Sequence, residues 1–159
     1  MDTFKILVAD SISEKGIDIL KADPQLEVDV KIGLSEDELV EIAGDYSGIV
    51  VRSKAKITPR VLDAAKKLKA VGRAGVGIDN IHIPTASKNG VIVMNTPTGN
   101  TISTAEHAFA LMMSLSRHIP HGHAGVAAGK FDESRKKYQG VELNGKTLAI
   151  LGMGRIGGE

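Results

Sequence analysis

Three short segments of the sequence carry side chains and glycines that suit the binding of a small anion. VRSKAK contains three closely spaced cations, GRAGVGIDN has glycines beside an arginine, and NTPTGNT is a loop containing proline and glycine. Cations attract carboxylates and phosphates, and glycines let backbone N–H groups turn toward them. The residues that predict this anion pocket are Arg52, Lys54, Lys56, Arg73, Gly75, Val76, Gly77 and Asn100. In the alternative interpretation, the glycines only form turns and the cations are solvated.

A fourth segment, GMGRIGG at residues 152–158, has the spacing G-x-G-x-x-G. Its glycines Gly152, Gly154 and Gly157 directly follow the apolar run TLAIL. After a strand, such glycines permit a tight turn and let a pyrophosphate approach the N-terminus of the next helix. The spacing therefore predicts part of a dinucleotide site. The acidic residue expected about 20 positions further on lies beyond Glu159, so a preference for NAD or NADP stays open.

The hydrophobic pattern indicates a scaffold that brings the anion segments together. Short β-branched runs alternate with helix-like stretches, which predicts an open parallel α/β sheet with right-handed crossovers. The predicted strands cover 5–10, 27–32, 48–53, 69–74 and 91–95. The predicted helices cover 13–22, 35–45, 58–67 and 81–89, with N-caps at Ser13, Ser35 and Thr58 and a capping box completed by Glu38. Ligands gather at the carboxyl ends of parallel strands, which is where the three anion segments fall.

A different organisation begins after residue 99. The stretch 101–119 has apolar residues at helical spacing on nearly all sides, which predicts a helix with protein around it. We expect a polar, glycine-rich connection over 120–140 and then a new strand in KTLAILG. The sequence thus predicts one complete α/β unit, residues 1–99, and the opening of a second, residues 100–159.

Composition and charge argue against several other classes of protein. Twenty Lys and Arg against nineteen Asp and Glu give a net charge of +1, which disfavours a general nucleic-acid or acidic-membrane binder. The chain has no cysteine, and MDTFKILVAD is typical of a first strand rather than of a signal peptide or membrane span. We therefore expect a soluble, cytoplasmic protein with no nucleic-acid or membrane partner.

The histidines do not predict a metal site. His118, His121 and His123 lie close together in HIPHGH, but no carboxylate or thiolate accompanies them. His107, beside Glu106 on the predicted long helix, is better explained by packing or capping than by general-base catalysis. We predict no metal ion.

Taken together, the segments VRSKAKIT, VGRAGVGIDNI, NTPTGNTISTAEHAFALMM and ELNGKTLAILGMGRIGGE resemble the N-terminal half of D-2-hydroxyacid dehydrogenases. The resemblance covers the whole chain. It implies a flavodoxin-like substrate domain over 1–99 and the truncated start of a Rossmann NAD-binding domain over 100–159. It also implies NAD as cofactor, a small anionic substrate, and homo-oligomers formed through the NAD-binding domain of the full-length protein.

The resemblance also assigns site residues. The substrate-binding residues would be Arg52, Ser53, Arg73, Gly75, Val76, Gly77 and Asn100. The cofactor-binding residues would be Val76, Gly152, Gly154, Arg155, Ile156 and Gly157. The family's catalytic arginine, glutamate and histidine follow the glycine fingerprint, so we expect no catalytic residue in this chain and no activity from it alone. The cations favour a phosphorylated substrate, but which 2-hydroxy acid is used stays open, as does a non-catalytic anion-binding module.

Overall fold

A five-stranded parallel sheet in the order β2-β1-β3-β4-β5 forms the frame of the first part of the chain. The computed structural model describes residues 3–159, which divide into two compact units, one ending at Gly99 and the other covering Asn100–Glu159. The strands are β1 Phe4–Val8, β2 Leu26–Val30, β3 Gly48–Val51, β4 Ala70–Arg73 and β5 Ile92–Met94. All five predicted strands are confirmed, and the order is that of flavodoxin-like proteins.

Four helices connect the strands of this first unit. They are α1 Glu14–Ala22, α2 Glu36–Ile42, α3 Pro59–Ala64 and α4 Ile83–Lys88. The connection from β1 to β2 runs in the opposite direction along the sheet from the other three. Since parallel crossovers are right-handed, α1 covers one face of the sheet and α2, α3 and α4 cover the other.

Local capping fixes the start of each predicted helix. The Ser35 side chain accepts a hydrogen bond from the backbone N–H of Glu38, whose carboxylate accepts one from the N–H of Ser35, so the predicted capping box is confirmed. Ser13 and Thr58 cap α1 and α3, as predicted. These bonds satisfy N–H groups that a helix leaves without partners at its first turn.

The hydrophobic core lies between the sheet and the helices α2, α3 and α4. Strand residues such as Leu7, Ile49 and Val71 are fully buried there against side chains of these helices. The opposite face is less covered beyond α1. On β5, Ile92 and Met94 are 63% and 53% exposed.

The second unit is helical over most of its length. It contains α5 Thr101–Ser116, α6 Ile119–Ala127, α7 Phe131–Lys137 and a final turn, α8 Arg155–Gly158. No helix of the described residues is long and apolar enough to cross a membrane.

Two expectations for this second unit are wrong. The predicted connection over 120–140 contains α6 and α7. Pro120 lies in the first turn of α6, and α7 has acidic residues in its first turn and basic residues in its last, where the helix dipole favours them. The segment TLAIL forms no strand, because in the described part of the chain after Gly99 no other extended segment pairs with it.

Candidate functional site

The loop that follows β3, residues Arg52–Ala55, is hydrogen-bonded through its backbone to the buried carboxylate of Asp10. We call it the β3 loop. Asp10, two residues beyond β1, is 3% exposed. Its Oδ2 accepts hydrogen bonds from the backbone N–H groups of Arg52 at 2.8 Å, Lys54 at 3.1 Å and Ala55 at 3.0 Å. The backbone of the β3 loop therefore wraps around one oxygen atom.

The carbonyl groups of the same loop are held by side chains from the last residue of β4 and from the segment after it. Asn80 Nδ2 donates to the carbonyl oxygens of Arg52, at 3.0 Å, and Ala55, at 2.7 Å. Arg73 Nε donates to the Arg52 carbonyl at 2.8 Å, and the Arg73 side chain is only 9% exposed. The first and second predicted anion segments are thus joined.

The glycine loop, Gly75–Gly77, lies directly against the guanidinium of Arg73. A Cβ on Gly77 would come within 2.8 Å of Arg73 Nη1 and 2.9 Å of Asp79 Oδ1, so a side chain here would displace the ion pair between those residues. The N–H of Gly75 donates to the Arg73 carbonyl at 2.9 Å. Among residues 3–159, no acceptor is hydrogen-bonded to the N–H groups of Val76 and Gly77. These two N–H groups are therefore donors that a ligand could use.

The third segment, which we call the β5 loop (95–99), is tied to the glycine loop by two hydrogen bonds. Asn95 Nδ2 donates to the Val76 carbonyl at 2.7 Å, and the backbone N–H of Thr96 donates to the Gly75 carbonyl at 3.0 Å. Hence all three loops at the carboxyl ends of β3, β4 and β5 form one connected edge. Asn100, by contrast, belongs to the second unit, where it is the N-cap residue of α5.

Cations on the β3 loop and directly after it have no partners within the described residues. The side chains of Arg52, Lys54 and Lys56 are exposed, and none of them makes a hydrogen bond or ion pair with any residue from 3 to 159. Arg60 differs, because it pairs with Asp37 at 2.9 Å. Unpaired cations beside unpaired backbone donors give this edge the chemistry of an anion-binding site.

The turn of the glycine fingerprint requires glycine at residues 152 and 157. Gly152 has φ +106°, a left-handed conformation that favours glycine, and a Cβ on Gly157 would overlap the carbonyl oxygen of Gly152. Gly154 is the N-cap residue of α8, and a Cβ there would meet no atom within 4 Å. Arg155 and Ile156 form the first helical turn. The fingerprint thus fits the close approach of a pyrophosphate to backbone N–H groups at Gly154.

An apolar cleft of about 580 Å³ lies within the second unit. Its walls are α5, through residues such as Phe109 and Met112, and the segment from Leu148 to Glu159. Apart from Glu159, no ionisable side chain lines it. This cleft does not have the chemistry of the predicted anion pocket.

His121 of α6 and His118, the N-cap residue of this helix, lie close to the ring of Tyr138. The rings of His121 and Tyr138 are 4.8 Å apart between centroids, and His118 contacts both rings at about 6 Å. No three His, Asp or Glu residues within 3–159 form a group with the geometry of a metal site.

Sequence reasoning located the three loops but missed three side chains that connect them: Asp10, Asn80 and Asn95. Asp10 and Asn95 are polar residues just beyond the carboxyl ends of β1 and β5, and Asn80 lies in the longer connection that follows β4. For Asp10 and Asn95 that position was the available signal, because polar side chains there meet the loops of neighbouring strands.

The sheet order and the connected loops describe an open α/β fold with anion-binding loops at the carboxyl ends of its strands, and a comparison with protein families identifies the class of protein. Residues 6–148 match the family model described as D-isomer specific 2-hydroxyacid dehydrogenase, catalytic domain. The chain belongs to this family, which confirms the resemblance inferred from its motifs.

Similar proteins carry a more specific name. A D-3-phosphoglycerate dehydrogenase of Synechocystis sp. is 50% identical over 153 residues, which are 96% of this chain and 27% of that protein. One from Archaeoglobus fulgidus is 51% identical over 98% of this chain and 29% of its own length. The crystal structure of NAD+-bound 3-phosphoglycerate dehydrogenase from Entamoeba histolytica has a TM-score of 0.73 and 29% identity, over 98% of this chain and 48% of that one. The chain therefore spans less than a third of the length of the Synechocystis and Archaeoglobus relatives.

Proposed function

We propose that this chain forms the substrate-binding domain and the first part of the NAD-binding domain of a D-3-phosphoglycerate dehydrogenase. The complete enzyme would oxidise 3-phospho-D-glycerate to 3-phosphohydroxypyruvate, a step toward L-serine. It would act as a homo-oligomer in the cytoplasm. The similarity to relatives of that name at about 50% identity supports the reaction.

One observation on the site carries the proposal. The unpaired cations Arg52 and Lys54 lie on a loop whose backbone is fixed, and Lys56 directly follows it, beside the unpaired N–H groups of Val76 and Gly77. A substrate with a phosphate and a carboxylate needs two separate anion-binding elements. In our proposal, the cations bind the phosphate and the glycine loop binds the carboxylate. Arg73, which donates to the Arg52 carbonyl, adds positive charge while it holds the loop.

The proposed oxidation removes a hydride from C2 and a proton from the hydroxyl group on C2. NAD, when bound, supplies the hydride acceptor. Residues Gly152, Gly154 and Gly157 would admit its pyrophosphate, and Arg155 and Ile156 would lie along it. By the family resemblance, the base that takes the proton follows the fingerprint, so this chain would bind and orient substrate without completing the reaction.

The test is an assay of the complete gene product beside the 159-residue chain. We expect the complete protein to oxidise NADH with 3-phosphohydroxypyruvate, with a higher kcat/KM than for hydroxypyruvate or glyoxylate. The 159-residue chain, purified from a host that lacks its own enzyme, should give no turnover above the blank.

Two results would contradict the proposal. A preference for an unphosphorylated 2-oxo acid would make the protein another 2-hydroxyacid dehydrogenase. Turnover by the 159-residue chain would show that a proton acceptor lies within it.

A further inference from the structure

The carboxylate of Asp10 occupies the point of the sheet where flavodoxin-like proteins bind their ligands. In the order β2-β1-β3-β4-β5, the chain reverses its direction along the sheet between β1 and β3, and the crevice beyond their carboxyl ends is the usual ligand site. Asp10 follows β1, and the backbone N–H groups that it binds follow β3. Converging backbone N–H groups of this kind bind anions in many proteins. Here the anion is part of the protein.

No cation neutralises Asp10 within the described residues, since none of the ion pairs among residues 3–159 includes it. A carboxylate that is 97% shielded from water needs hydrogen-bond donors to remain there. The donors are three N–H groups of a single loop. The buried Asp10 side chain and the conformation of the β3 loop therefore stabilise each other through these three hydrogen bonds.

The opposite side of the loop is held independently. The carbonyls of Arg52 and Ala55 accept hydrogen bonds from Asn80, and the first also accepts one from Arg73. With both N–H and carbonyl groups engaged, the backbone at Arg52 has little freedom. Its side chain, by contrast, is exposed and unpaired among residues 3–159. Arg52 therefore presents an unpaired guanidinium on a backbone of fixed conformation.

We propose that Asp10 is a positioning residue for substrate binding. Its carboxylate fills the ligand crevice between β1 and β3 and shapes the β3 loop so that Arg52 faces the substrate. An anionic group of the substrate is thereby bound by the Arg52 side chain on the outer side of the loop, and not by the backbone N–H groups of the β3 loop, which Asp10 already engages. The loop-shaping part of this inference stands on the hydrogen bonds alone, whereas the part concerning substrate rests on the proposed function.

The test compares Asp10→Ala and Asp10→Asn with the unchanged complete gene product. Asp23→Ala is the matched control, because Asp23 also accepts a backbone N–H bond, from Gln25, but in the turn before β2. Hydrogen exchange of peptides covering 49–57 should become faster in both Asp10 variants, and more so in Asp10→Ala. Exchange in the core strand β4 should be unchanged. The control should leave both regions unaltered.

Kinetics provide a second measurement. In Asp10→Ala, the KM for 3-phosphohydroxypyruvate should rise at least tenfold, while kcat and the KM for NADH change less than threefold. Asp10→Asn, which keeps the size of the side chain, should show a smaller rise in the same direction. Sodium formate, which fits the space left by Asp10→Ala, should restore slow exchange over 49–57 and lower the KM. Sodium chloride at the same ionic strength should do neither.

The outcomes separate the two proposals. Unaltered exchange over 49–57 in the Asp10 variants would overturn the inference, as would equal effects of formate and chloride. If Asp10→Ala does not fold, Asp10→Asn decides, and an unchanged KM with unchanged exchange would refute the role. If the complete gene product without substitutions is inactive with every 2-oxo acid, the proposed function is contradicted. The exchange measurements would still test whether Asp10 shapes the β3 loop.

Discussion

Arg52 is the residue on which the proposed substrate site depends most directly. Its backbone is hydrogen-bonded to Asp10, Arg73 and Asn80, whereas its guanidinium is unpaired among the described residues. A hydrogen bond between a charged group and its ligand contributes about 1.5–3 kcal/mol. Removing this guanidinium should therefore weaken substrate binding without disturbing the loop that carries it.

We predict that Arg52→Ala raises the KM for 3-phosphohydroxypyruvate roughly tenfold or more in the complete gene product, because about 1.4 kcal/mol corresponds to a factor of ten. The KM for NADH should change less than twofold. Lys67→Ala is the matched control, since Lys67 is exposed and precedes the amino end of β4, at the opposite edge of the sheet. Steady-state kinetics with both substrates measure the effect. An unchanged KM for the phosphorylated substrate would remove Arg52 from the site.

A second residue-scale feature lies away from the site, where Tyr46 donates a hydrogen bond to Asp29 at 2.8 Å. Burial and this bond raise the pKa of Tyr46 to about 12, and the side chain is 1% exposed. The same bond lowers the pKa of Asp29, helped by Lys5 at 3.4 Å. Tyr46 must be neutral to donate, so the native state favours its protonated form.

We predict that the fold loses stability as the pH rises from about 10, the ordinary pKa of a free tyrosine, through about 12. A raised native pKa contributes its full stabilisation below the pKa of the unfolded chain and loses it as the pH approaches the native value. The loss should reach about 2 kcal/mol by pH 11.5. Urea unfolding from pH 8 to 11.5 measures it. In Tyr46→Phe the dependence above pH 10 should be weaker by that amount, and an identical slope in both proteins would contradict this assignment.

At the scale of elements, local signals in the sequence were sufficient where the element is stabilised locally. Ser35 and Glu38 cap α2 by hydrogen bonds within four residues, and such bonds are visible in sequence spacing. The short β-branched runs of β1 to β5 were similarly recognisable, because β-branched residues fit the pleated, half-buried surface of a sheet. The long helix was predicted to Ile119 but ends at Ser116, and His118 with φ +51° separates α5 from α6.

Elements and site residues that depend on distant neighbours could not be predicted in the same way. TLAIL has the composition of a strand but forms none, because a strand needs a hydrogen-bonding neighbour, and composition does not supply one. Asp10 and the β3 loop are more than 40 residues apart in sequence. Their contact follows from the pairing of β1 with β3, which fixes which loops adjoin. Sequence segments therefore predicted the parts of the anion site, and the strand order joined them.

At the scale of the whole chain, the two units differ in how much they bury. Every buried residue among those described lies before Asn100. From Asn100 to Glu159, none is buried, and large apolar side chains such as Phe109, Leu111 and Leu115 are more than half exposed. Each large side chain that stays in water forgoes about 1.5–3 kcal/mol of stabilisation from burial. The first unit has a hydrophobic core of its own. The second unit leaves its large apolar side chains exposed and buries none of its residues.

The purified 159-residue chain should accordingly self-associate and be cut by proteases mainly after residue 100. Contact between exposed apolar faces of α5 would bury surface that otherwise stays in water, which drives association. Light scattering should give a mass above that of a monomer, and limited proteolysis followed by mass spectrometry should leave a core close to residues 1–100. Replacing Phe109 and Leu115 with lysine should reduce association without shortening that core, because both side chains are exposed. A monodisperse monomer, protected uniformly through residue 155, would mean that residues 100–159 are stable without further cover.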